Sequence, residues 1–154
     1  MTRPEESTSV QSRGFRPVHS SDARVLILGT LPGPQSLALR QYYGNPANAF
    51  WPIMGRLVGA GPELAYPLRL KALTASRVAV WDVCQSACRV GALDADIDRS
   101  TIVPNDFARF LQAHPDIGRI FFNGQKAEQL YRRLVLPELP ASLQGIARLT
   151  LPST

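Results

Sequence analysis

The sequence predicts an α/β fold: a three-layer α/β/α sandwich around a small central, mainly parallel sheet of four strands. Three observations predict it. Short apolar runs at 24–28, 77–83 and 118–122 carry the near-continuous Val/Ile/Leu/Phe pattern of strands buried on both faces, and 146–151 alternates as a fourth strand. Segments of helical periodicity separate them, giving the order βαβαβαβ. Polar and aromatic residues collect where the strands end, at Gly29-Thr30, Trp81-Asp82, Asn123 and Ser153, the edge at which open parallel sheets keep their sites. With 154 residues, 45% of them apolar, the chain has the size of one domain with one core.

Taken in order, residues 1–13 are polar and aperiodic, and a flexible tail is expected there, with the domain spanning 14–154. His19-Ser20-Ser21-Asp22 marks the turn before the first strand, with His19 a surface residue. Gly29 to Pro34 then breaks the strand with two glycines and two prolines, a turn that lets backbone approach a ligand. It is not a dinucleotide fingerprint, because Gly29 and Gly33 are four apart and Pro32 intervenes. A short helix is expected over 35–41, and Gly44 and Pro46 make 42–48 a loop. Phe50, Trp51, Met54, Leu57 and Val58 fall at helical spacing. The spacing buries Trp51, while Phe50, beside Asn48 at the loop–helix junction, is assigned to the site.

Residues 68–75 form a helical turn leading to the second strand. No regular element is assigned to 84–100, where Asp94-x-Asp96-x-Asp98 lacks the glycine and distal glutamate of a calcium loop, so no metal is expected. Asn105 is the expected N-cap of a helix that buries Phe107, Phe110 and Leu111 and ends at His114-Pro115. After the third strand, a helix over 125–134 turns Ala127, Leu130, Tyr131 and Leu134 inward.

The 17 basic residues outnumber the 12 acidic ones, and all but Lys71 and Lys126 are arginine, which suits a phosphate backbone as partner. Cys84 and Cys88 are too few for a disulfide framework or a four-cysteine metal site and serve as small apolar residues. Without an apolar leader or a run of membrane-spanning length, a cytoplasmic protein with no membrane partner is expected.

The strings Gly29-Thr30-Leu31-Pro32-Gly33, Tyr42-Tyr43-Gly44-Asn45-Pro46-Ala47-Asn48-Ala49-Phe50-Trp51, Trp81-Asp82-Val83, Val103-Pro104-Asn105-Asp106-Phe107, Phe121-Phe122-Asn123-Gly124 and Leu151-Pro152-Ser153-Thr154 resemble the uracil-DNA glycosylase superfamily. Within it, they are most similar to the hypoxanthine-DNA (deoxyinosine) glycosylase branch. The resemblance implies that Asn48 is the catalytic amide, that Phe50 stacks on the extruded base, and that Gly29, Thr30 and Leu31 line its pocket. It places Trp81 or Asp82, and Asn123, near the base, and Ser153 and Gly33 against DNA. In uracil-specific relatives an Asp or Asn stands where this chain has Leu31, so the water-activating work falls to Asn48. The family continues beyond Leu-Pro-Ser-Thr with a loop and a closing helix, which this chain is expected to lack.

The expected activity is monofunctional hydrolysis of the N-glycosidic bond of a deaminated base, hypoxanthine and then uracil, in double- or single-stranded DNA, by a monomer with no cofactor. An amide cannot take up a proton at neutral pH, so Asn48 would orient water through its carbonyl oxygen. Neither lysine lies in the motif cluster, which argues against an imine-forming enzyme. Two other classes compete: a catalytically weak or inactive relative that binds DNA or a base, and a generic small α/β enzyme acting on a nucleotide or phosphate ester.

Overall fold

The computed structural model describes residues 9–154. Its strands are β1 (Val10–Arg13), β2 (Val25–Gly29), β3 (Val78–Asp82), β4 (Cys84–Arg89), β5 (Ile97–Pro104), β6 (Arg119–Asn123) and β7 (Ala147–Leu151). Its helices are α1 (Pro34–Leu39), α2 (Phe50–Val58), α3 (Tyr66–Ala75), α4 (Phe107–Ala113), α5 (Gln125–Leu130) and α6 (Ala141–Gln144). The four expected strands pair in parallel in the order β3-β2-β6-β7. From β2 the chain moves outward to β3 in one direction and, later, to β6 and β7 in the other. The strand order therefore reverses at β2, which opens a crevice at its carboxyl end.

Alternation along the strands feeds two cores. Leu26, Leu28, Ala79, Trp81, Ile120 and Phe122 pack on one face with Phe107, Leu111, Leu130 and Tyr131 from α4 and the α5 segment. Ile27, Val78 and Val80 face the other way, onto Phe50, Trp51, Met54 and Leu73 of α2 and α3. Burying each such Leu, Ile or Phe contributes about 1.5–3 kcal/mol, and this two-sided burial explains why the runs read as apolar without alternation.

A second, antiparallel sheet, β1-β4-β5, was not anticipated from the sequence. Residues 10–13, expected in a flexible tail, pair along β4 from Val10 opposite Arg89 to Arg13 opposite Ser86. Residues 1–8 of that tail lie outside the described residues. The stretch 84–100, left without regular structure, holds β4 and the start of β5. Its exposed polar residues, Gln85, Asp98 and Ser100, belong to a sheet only partly covered. Val83 and Cys84 donate to the carbonyls of Gly29 and Thr30 at 2.9 and 3.0 Å, so the chain steps directly from one sheet to the other beside the crevice.

Two helix boundaries also differ from expectation. Asp106, not Asn105, caps α4, its Oδ1 accepting the Arg109 N–H at 3.1 Å; Asn105 instead donates from Nδ2 to the Asp82 carbonyl at 2.7 Å and ties α4 to the end of β3. The expected helix over 125–134 stops being α-helical at Leu130 and continues as a wider turn through Tyr131–Val135. His19, expected as a surface turn residue, and His114, expected at a helix end, meet with Nδ1 and Nε2 2.8 Å apart. Cys84 and Cys88 are free thiols. Among the described residues no helix is long and apolar enough to cross a membrane, and no cluster of metal-ligating side chains is present.

Candidate active site

A cavity of about 430 Å³ opens at the carboxyl ends of β2, β3 and β6, closed at its sides by the 42–48 loop, the turn after β4 and the segment after β7. That volume lies within the range of small-molecule sites, roughly 300–1,000 Å³. Four buried side-chain polar atoms lack a hydrogen-bond partner among the described residues: Thr30 Oγ1, Tyr43 Oη, Asp82 Oδ2 and Arg89 Nη1. All four residues line this cavity. Buried polar groups are nearly always paired, so four such atoms around one space mark where water or a polar ligand completes the bonding.

Asp82 sits at the floor. Successive strand residues point to opposite faces, and this decides between the two neighbours the sequence left open. Asp82 faces the cavity, whereas Trp81 faces away, packs on Phe107 and Phe110, and donates its Nε1–H to the Phe15 carbonyl at 3.2 Å. Trp81 is thus a core residue and does not line the pocket. Burial, and then the charge of Asp94 at the rim, raise the Asp82 carboxyl from 3.8 to about 7. Gly29 explains how the carboxyl fits: a Cβ there would lie 2.5 Å from Asp82 Oδ1 and 3.1 Å from Tyr43 Oη.

The aromatic wall differs from expectation. Phe50 is 3% exposed and lines a separate apolar groove between α2 and the sheet; the aromatic residues bordering the cavity are Tyr42 and Tyr43. Phe50 stacks behind Tyr43 at 3.9 Å with 20° between the planes. Phe50 therefore supports the face a base would meet and is not that face. Tyr43 takes up a left-handed backbone conformation, φ 53°, uncommon for a bulky residue and a sign that neighbouring contacts over-determine it. One such contact is the Gly44 N–H donating to Ser36 Oγ at 2.9 Å. Burial, and then Asp82, push the Tyr43 hydroxyl above its ordinary range, so it remains a neutral donor.

Asn48 lines the cavity mouth, and its Oδ1 accepts the Phe50 N–H at 2.9 Å. Its amide is thereby fixed at the start of α2, with one carbonyl lone pair already used. Ala49 donates to the Thr154 carbonyl at 3.2 Å, joining this helix start to the segment after β7. Asn123, expected near the base, has its amide engaged: Nδ2 donates to Thr154 Oγ1 at 2.8 Å and Oδ1 accepts the Thr154 N–H at 3.0 Å. It lines the cavity but works there as a bracket for Ser153 and Thr154. Thr30 and Leu31 form the turn wall, Leu31 being 7% exposed and shared with the core, while Gly33 begins α1 at the rim. Ser153 borders both cavities.

The sequence missed Tyr43, Arg89 and Asp94. Tyr43 stands within the most specific string, and a paired aromatic beside Gly44 was signal enough to consider it. Arg89 and Asp94 lie in the stretch read as lacking regular structure, so nothing placed them near the turn at Gly29.

Comparison with known proteins agrees with this geometry. The family model described as the uracil DNA glycosylase superfamily matches residues 17–153. The chain belongs to that superfamily. It is 40% identical over 116 residues to a hypoxanthine DNA glycosylase of Methanosarcina acetivorans, covering 75% of this chain and 72% of that one. A hypoxanthine DNA glycosylase of Methanosarcina barkeri is 35% identical over 119 residues, covering 77% and 74%. The solution NMR structure of a candidate uracil DNA glycosylase from Methanosarcina acetivorans superposes with a TM-score of 0.76 at 36% identity, over 94% of this chain and 84% of that one. This superfamily member keeps its orphaned polar atoms at the sheet edge where the fold places a ligand.

Proposed function

We propose that this superfamily member is a monofunctional DNA glycosylase that hydrolyses the N-glycosidic bond of a deaminated base, hypoxanthine foremost. The observation that carries the reading is the convergence of Thr30, Tyr43, Asp82 and Arg89 on one cavity, each with an unpaired polar atom. Hydrolysis requires the nucleotide to leave the helix stack and enter a pocket. The Tyr43 ring, backed by Phe50, offers a stacking surface worth about 1–3 kcal/mol per base. Hypoxanthine carries acceptors at O6 and N7 and a donor at N1. Thr30, Tyr43 and protonated Asp82 supply donors, and the Thr30 and Asp82 oxygens also accept.

The C1′–N9 bond breaks as the sugar becomes cation-like, and water adds to C1′. Asn48 positions that water from the cavity mouth, through the remaining lone pair of Oδ1 or the Nδ2–H group. It cannot act as a strong base, so its contribution is placement, and the charge on the departing base must be met from the opposite wall. Asp82, protonated below about pH 7, donates its proton there. Neither Lys71 nor Lys126 borders the cavity, so among the described residues no side-chain amine is placed to form an imine with C1′. Ser153 and Gly33, at the rim, are positioned for the DNA backbone.

Release of free base from duplexes containing inosine or deoxyuridine tests the proposal. Asn48→Ala is expected to slow hypoxanthine release more than about tenfold while leaving duplex affinity nearly unchanged. An unchanged rate removes Asn48 from the mechanism. Binding of the inosine duplex with no release by the unaltered protein supports the base-binding alternative, and faster uracil release reverses the order of substrates.

A further inference from the structure

Arg89 is a buried charged side chain with no ion-pair partner among the described residues. It ends β4, opposite Val10 of β1 and Ile97 of β5, after two register shifts between Cys84 and Cys88. Such irregularities re-aim side chains, and this one stands at the wall of the cavity. Arg89 is 4% exposed. Its Nη2 donates to the Pro32 carbonyl at 2.8 Å, its Nη1 is buried without a partner, and among the described residues it joins no ion pair. Arginine does not shed its proton in proteins, so burial without a counter-charge is strongly unfavourable unless a ligand supplies one.

We propose that Arg89 is a catalytic residue of base excision, its Nη1–H group taking up the negative charge that gathers on the departing base. The proposal rests on base excision being the reaction. As the C1′–N9 bond breaks, its electron pair leaves with the base; the water oxygen bonds to C1′, and the proton it releases passes to solvent while Asp82 protonates the base. Arg89 exchanges no atom. A fixed guanidinium beneath the cavity rim stabilises the electron-rich ring before that proton arrives. The Pro32 carbonyl holds one arm of the fork, so the other is already oriented before the base enters. A backbone phosphate is the less suitable partner, because phosphates remain at the rim while Arg89 lies beneath it.

The test compares single-turnover release of hypoxanthine and of 2-fluorohypoxanthine, whose fluorine lets the ring leave more readily as an anion, by the unaltered protein, Arg89→Met and Arg89→Lys. Arg89→Met is expected to slow hypoxanthine release by about thirtyfold or more and the fluorinated base several-fold less, with duplex affinity within about threefold. Arg89→Lys recovers part of the rate. Equal losses for the two bases overturn the proposal and leave Arg89 as a positioning residue for the Pro32 turn. A loss confined to duplex affinity, with a shallower salt dependence, overturns it in favour of a phosphate contact. Should Arg89→Met fail to fold by thermal melting, the ratio of losses in Arg89→Lys decides the same question. If the unaltered protein releases neither base, base excision itself fails, which that control shows separately.

Discussion

Asp82→Asn separates what the site costs in stability from what it contributes to the reaction. Asp82 is 5% exposed, and its carboxyl titrates at about 7 against an ordinary 3.8, raised first by burial and then by Asp94. A raised carboxyl opposes folding as pH rises. The unfolded chain releases the proton near 3.8 and the folded chain holds it to about 7, so stability falls across that window and stays lower above it. About three pH units at roughly 1.4 kcal/mol each amount to about 4 kcal/mol at pH 8. Asparagine keeps the shape and removes the charge, but its own buried amide needs partners, at about 1–3 kcal/mol if unmet. A net gain of about 1–3 kcal/mol remains, or roughly 3–10 °C in Tm. Thermal melts of the variant and the unaltered protein at pH 4, 6 and 8 should show a difference that grows with pH. Single-turnover base release by the variant should fall about tenfold or more and lose its decline above pH 7, because an amide donates a hydrogen bond but no proton. A melting difference that does not change with pH would refute the buried, raised carboxyl; an unchanged decline in rate above pH 7 would assign the proton to another group.

Tyr43→Ala removes the stacking face and should weaken binding of an uncleavable inosine-analogue duplex by about 5–150-fold, the equivalent of 1–3 kcal/mol, whereas Phe50→Leu, behind it, should weaken binding much less; fluorescence titration of both variants reads the contrast. The histidine pair gives a pH effect of opposite sign to that of Asp82. The Phe110 carbonyl, 2.8 Å from His114 Nδ1, can only accept, and His114 Nε2 lies 2.8 Å from His19 Nδ1. Burial, and then the charge of His114, lower the pKa of His19, so its contribution to stability is complete above about 6.5 and is lost as pH falls below that value. Urea midpoints measured from pH 7 to 5 should decline more steeply for the unaltered protein than for His19→Gln.

The parallel sheet was legible in the sequence because Leu26, Leu28, Ile120 and Phe122 are buried from both sides, and such burial leaves an uninterrupted apolar run. The antiparallel sheet was not, because β1 and β5 keep one face in water: Val10, Gln11, Arg13 and Val103 are exposed, and their pairing with β4 depends on contacts distant in sequence. At the site, motif resemblance brought out Asn48, Gly29 and Asp82 but assigned the stacking ring to Phe50. Which of two aromatics borders a cavity depends on a backbone dihedral, here the left-handed Tyr43, and that angle has no signature in residue type. The hydrogen bonds that occupy Asn123 were out of reach for a related reason. Its partner, Thr154, lies 31 residues away, and only the β6–β7 pairing brings the two together.

These omissions share a physical basis that bears on how the site works. The parallel sheet contributes Gly29, Asp82 and Asn123 at its carboxyl ends, while the antiparallel sheet contributes Arg89 and the turn that carries Asp94. Asp94 raises the Asp82 carboxyl, and Arg89 brings an unpaired positive charge. In the proposed reaction one sheet thus supplies the floor on which a base would rest, and the other sets the electrostatics of that floor. The two are joined by the Val83 and Cys84 hydrogen bonds to Gly29 and Thr30. A change in β1 or β5 that shifts β4 should therefore alter the pH dependence and rate of base release while leaving the parallel sheet and the stacking on Tyr43 intact.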